Sequence, residues 1–165
     1  MSGSVQAVVG IAVIAWVLWN QLRTREFTSR RVRIAAVLGV IGLVEVVSAA
    51  GSHPVSAAGW ALLVVGLVVG AATGLLRAAT VSLWVQDGRV LTRGHWGTAA
   101  LWVVGIGVHV GLDLLAGVVA PSAGAVDASS ILLFVGVSLG AQGLVTMQRA
   151  RALPGAPARV FQSVR

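Results

Sequence analysis

Long apolar runs alternate with short polar ones along this chain, and five of the runs approach the roughly 20 residues that a helix needs to cross a hydrocarbon core. They cover residues 5–22, 34–51, 55–76, 97–119 and 129–148. The pattern predicts an all-α membrane protein, a bundle of five transmembrane helices filling residues 1–152. One polar interval departs from it. In Thr80-Val-Ser-Leu-Trp-Val-Gln-Asp-Gly-Arg-Val-Leu-Thr-Arg93, polar and apolar residues alternate on both sides of Asp87-Gly88. Period-two alternation around Asp-Gly is the signature of a two-residue hairpin turn. We therefore expect a short β-hairpin over 80–93 between the third and fourth spans. A lone hairpin is marginal in water, so it should rest on the bundle or the headgroups with Leu83, Val85 and Leu91 inward. The last residues, 153–165, carry two prolines and a glycine near their start and cannot continue a helix, which predicts a flexible tail.

Charge gives the pattern a direction. The 12 basic residues are all arginines and fall in three bands: Arg23 to Arg33, Arg77 to Arg93, and Arg149 to Arg165. Short cytoplasmic loops keep arginine and translocated loops avoid it, so the three bands should share the inner face. The expected topology puts the N-terminus outside and the C-terminus and hairpin inside, in a multi-pass plasma-membrane protein. No basic residue precedes the first span, the reverse of a secretory leader. Tryptophans favour the membrane boundary. Trp19 and Trp96 fall at expected inner boundaries and Trp60 near the outer one, whereas Trp16 and Trp102 lie deeper, where helix packing accounts for them.

Composition agrees with this class. Hydrophobic residues make up 57% and charged residues 10% of the 165, with a mean hydropathy of +0.92, against roughly 25% charged in soluble domains. The net charge of +7 is explained by arginines meeting the anionic inner leaflet, and no nucleic-acid partner is expected. With no cysteine and no lysine, thiolate metal sites, thiol exchange and Schiff-base chemistry are excluded. The Ala/Gly/Val/Arg-rich usage hints at a GC-rich bacterial genome.

Candidate chemistry is sparse. Ionisable groups inside a span are costly and call for a reason. Three stand out: Glu45, His109 and Asp113. His109 and Asp113 are four apart and share one helical face. Glu45 falls at a similar depth in the second span, with Ser48 able to join it. Such a polar cluster suits interhelical hydrogen bonding, and equally a proton relay or a small polar site. Zinc from Glu45, His109 and Asp113 lacks a spacing signature, a single mid-span histidine does not make bis-histidine haem, and Ser48 has no nucleophile motif around it. No cofactor, metal or catalytic residue is assigned. His53, beside Pro54, reads as a solvated turn residue. Small residues hold helices together in lipid, and Gly66, Gly70 and Gly74 form a ridge for a helix or subunit interface. The pairs Gly107/Gly111 and Gly136/Gly140 repeat the spacing in a chain with 21 glycines, where chance alone produces such pairs.

The run from an outside N-terminus through Arg30-Arg-Val-Arg33, two spans and the hairpin of residues 80–93 into another span resembles the CcdC-like small bacterial membrane proteins, over residues 5–119. The resemblance implies a polytopic plasma-membrane protein associated by name with cytochrome c maturation, and it transfers no functional residue. The expected function is a non-enzymatic accessory or scaffold for membrane partners, with a membrane protein or a second copy as partner. The alternative is a small transporter or proton-coupled carrier using Glu45, His109 and Asp113.

Overall fold

The computed structural model describes residues 19, 23–28, 30–52, 54–119 and 124–157, without the side chains of 31 and 124–129. In chain order the elements are β1 (Arg25–Glu26), α1 (Arg30–Ser52), α2 (Ala57–Thr80), β2 (Ser82–Gln86), β3 (Arg89–Arg93), α3 (Trp96–Val119) and α4 (Gly124–Arg151). The four helices are each long and apolar enough to cross a membrane, with hydropathies of 1.8 to 2.2 over their apolar portions. They correspond to the second to fifth expected spans. The first, 5–22, lies outside the described residues, as do His53 and residues 158–165.

Most helical surface faces outward and is apolar. Val40, Val44, Val68, Leu114 and Val118 are all more than half exposed. Patches of this extent would be an aggregation hazard in water and suit contact with lipid tails. Contact between the helices is instead made by small residues. α1 turns Ala35, Gly42 and Val46 inward, a stripe at helical spacing that lies against α4. At Gly42 the backbone of Leu133 fills the place a Cβ would take, and at Gly136 the backbone of Gly39 does so. α4 packs most extensively on α1 and α2, and α3 lies mainly against α2.

The helices outrun the apolar segments. α1 begins at Arg30 and α2 continues past Arg77 to Thr80, because a charge ends a hydropathy window without breaking a backbone ladder. Ser56 caps α2, its Oγ accepting from the Gly59 N–H at 3.2 Å. At the start of α3 the Thr98 side chain reaches back to accept from the His95 N–H at 3.2 Å, the reciprocal half of a capping box.

The hairpin forms around Asp87-Gly88, both at positive φ (51° and 67°), as a two-residue type I′ turn requires. Its inward face differs by one residue from expectation. Register pairs Leu83 with Thr92, Trp84 with Leu91 and Val85 with Val90, and directly opposed residues share a face. Leu83 and Val85 therefore point inward with Val90, while Leu91 falls on the outer face with Trp84. A third strand, unforeseen from the pattern, completes the sheet: β1 pairs with β3 in the order β1-β3-β2. Phe27 follows it inward, donating its N–H to the Val90 carbonyl at 2.8 Å. Phe27, Val90, Met147 and Ala150 make a small core, with Leu153 and Ala156 packed on it. The sheet thus docks on the last turns of α4, which supplies the support a lone hairpin lacks. Arg149 Nη1 donates to the carbonyls of Ala78 and of Val81, the latter at 3.0 Å, tying the exit of α2 to the same end.

Candidate functional site

Of the four polar residues picked out within the spans, two come together. His109, only 4% exposed, projects from α3 toward α2 and α4, its ring stacked on Phe134 with centroids 4.6 Å apart and planes 17° off parallel. One turn on, Asp113 is half-buried, its Oδ2 3.5 Å from His109 Nε2. Among the described residues, Nε2 has no hydrogen-bond partner beyond this ion pair. Both groups line a cleft whose far walls are Gly66 and Leu67 of α2 and Ser130 of α4. The cleft measures about 320 Å³ with its open mouth included.

Glu45 and Ser48 do not join the site. Both are exposed, and neither lines the cleft. Depth alone suggested their meeting with His109 and Asp113; helix rotation decides against it. α1 commits Gly42 and Val46 to α4, and Glu45, one residue from Val46, is turned about 100° away. The Ser48 backbone carbonyl accepts from the Ser52 hydroxyl at 3.0 Å.

The glycine ridge is used inside the chain. Gly66 faces Leu112 of α3, Gly70 lies under the Phe134 ring, where a Cβ would come to 2.9 Å, and Gly74 meets the Ser138 backbone. Among the described residues, a Cβ at Gly107, Gly111 or Gly140 would meet no neighbour within 4 Å.

Sequence reasoning missed Arg77 as an interior residue by assigning it to the basic inner band. It is 1% exposed and sits between α2, α3 and α4. Its Nη2 donates to Ser138 Oγ at 2.6 Å and its Nε to Gln142 Oε1 at 3.1 Å, while the guanidinium lies 4.0 Å above the Trp102 ring. Among the described residues no carboxylate pairs with it. Delocalised charge and weak hydration make guanidinium the cation best suited to such a place, and a desolvated cation–π contact contributes about 2 kcal/mol. A signal was present in the sequence: Arg77 follows Gly66, Gly70 and Gly74 at helical spacing, hence on the inward ridge.

Between the two polar sites the interior continues through Thr73 and Phe134. A Cβ at Gly105 would lie 3.4 Å from Thr73 Oγ1 and 3.8 Å from the Phe134 ring. Thr73 Oγ1 is occupied by the carbonyls of Val69 (2.9 Å) and Gly70 (3.1 Å), so no continuous chain of side-chain hydrogen bonds links Arg77 to His109 among the described residues. Comparison with protein families, with curated proteins and with solved structures returned no match.

Proposed function

We propose that the protein is a multi-pass plasma-membrane protein without enzymatic activity of its own, an accessory or scaffold for membrane partners, which the CcdC-like resemblance directs toward cytochrome c maturation. One observation supports it: the sheet and the arginines occupy the same end of the bundle. Arg25, Arg89 and Arg93 are on the strands, Arg30 and Arg33 begin α1, and Arg149 and Arg151 end α4. Translocation disfavours arginine, so this end belongs in the cytoplasm, where each side chain near the anionic surface contributes about 1 kcal/mol. In this reading residues 5–22 make a fifth crossing and the N-terminus is outside. The outer sheet face, with Trp84 and Leu91 half-buried and Arg89 and Arg93 exposed, is the surface offered to a partner.

A second reading, a small proton-coupled carrier, is favoured by the buried His109 beside Asp113, with Glu45 no longer a member. Extraction in mild detergent separates the two. The accessory reading expects a membrane protein retained by the wild-type chain and lost from Trp84→Ala/Arg89→Glu. It fails if nothing is retained, or if the variant retains the same protein. The carrier reading expects pH-dependent uptake into proteoliposomes that Asp113→Asn abolishes, and unchanged uptake in that variant ends it.

A further inference from the structure

We infer that α1 carries a self-association surface whose occupant is the α1 of a second copy of this chain, packed in parallel about Glu45. The residue's setting requires a partner. Glu45 lies seven residues before the end of α1 at Ser52, about 10 Å along the axis. Its side chain is exposed, and so are its neighbours Ile41 and Val44, at 43% and 62%. Ionisable groups at such depth face a bundle interior or pair with one another, because lipid tails offer no hydrogen bond. Among the described residues no ion pair engages Glu45. The carboxyl must therefore be met from outside the four described helices.

The pattern around it identifies the surface. Ile34, Leu38, Ile41, Glu45, Ser48 and Ser52 follow one another at alternating spacings of four and three, the interval that lines a seam between two helices. That seam is turned about 100° from the stripe of Ala35, Gly42 and Val46 that α4 covers, and all of it but Leu38 is exposed. α1 is also the least enclosed of the four helices, with 17% of its apolar stretch buried against 22% to 39% in the others.

The seam is its own complement. Two copies inserted with the same topology bring α1 to α1 in parallel and in register, so a twofold axis sets each Glu45 opposite the other. A single polar residue at a seam position fixes register and partner number. A carboxylic acid both donates and accepts, so a protonated Glu45 donates to its counterpart, and Ser48, about one turn on, adds a hydroxyl from each side. Residues 5–22 are a poorer occupant, since Ala7 to Ala15, the stretch that would reach this depth, has no polar side chain. The surface stands apart from the outer sheet face and from the His109–Asp113 cleft, and it goes beyond both functional readings.

The test uses the full chain, which has no cysteine of its own. In native membranes under mild oxidation, Ser48→Cys should give a disulfide-linked dimer. Val47→Cys, at nearly the same depth but about 100° around α1, should not. In detergent, sedimentation should show a wild-type dimer that Glu45→Gln preserves, since the amide keeps a donor and an acceptor, and that Glu45→Val weakens about tenfold or more. Glu45 is exposed, so both variants leave the packing on α4 in place. A wild type that stays monomeric overturns the surface, as do equal cross-linking at Val47→Cys and an undiminished dimer in Glu45→Val. In the double variant Ala12→Cys/Ser48→Cys, a cross-link confined to one chain would assign the seam to residues 5–22 and overturn it as well.

Discussion

Arg77 shows how a residue's neighbours outweigh its type. An arginine at the end of an apolar segment belongs by default to the headgroups, yet this one is held by Ser138, Gln142 and the face of Trp102. The reason lies in the ridge that precedes it. Gly70 and Gly74 bring α4 close, and the next inward position then meets Ser138 and Gln142, themselves one turn apart. Removing the side chain leaves two acceptors unserved and a void against the indole. Arg77→Ala should therefore destabilise the bundle by on the order of 3 kcal/mol. Arg77→Lys, which keeps the charge but loses the fork, should fall between. Thermal unfolding in detergent measures both, and an unchanged midpoint for Arg77→Ala would show that the contacts contribute nothing.

At the scale of elements, local chemistry and helix contact separate cleanly. Asp87-Gly88 formed the turn anticipated for it, because positive φ at both positions is a property of those two residues. Which leucine faced inward followed from cross-strand pairing, and β1 came from a distant segment that offers only two residues to the ladder. Glycine spacing behaved likewise. Gly70 and Gly74 are at a contact, whereas among the described residues a Cβ at Gly107 or Gly111 would meet no neighbour within 4 Å, and the same interval describes both. Two further close approaches, Gly42 on Leu133 and Gly136 on Gly39, involve α1 glycines to which no single-helix spacing had pointed. Gly42→Leu and Gly74→Leu should break the packing on α4 and lower the yield of folded protein, while Gly107→Leu should not. Size-exclusion profiles in detergent compare them; equal profiles for all three would refute these helix contacts.

For the whole molecule, the four helices put the sheet and the described arginines at one end. α1 and α3 both leave the sheet-bearing end, so Ser52 and Val119 mark the far one. The chain lacks cysteine, which makes any introduced one a unique reporter. If the arginine-rich end lies in the cytoplasm, as proposed, Ser52→Cys and Val119→Cys should react with an impermeant maleimide in intact cells. Gln86→Cys and Ala152→Cys should react only after permeabilisation. The opposite pattern would invert the orientation and remove the sheet as a cytoplasmic docking surface.

Four stretches apolar enough to cross a membrane and a hairpin at Asp87-Gly88 are properties of the sequence by itself, since hydropathy and turn chemistry act over a few neighbouring residues. The folded structure alone decided that His109 stacks on Phe134, that Glu45 and Ser48 look away, and that Arg77 is interior. Those outcomes depend on the rotation of each helix about its axis. A helix turns about 100° per residue, so depth along a span says nothing of the partner across it, and that partner is set by which small residues let two backbones touch.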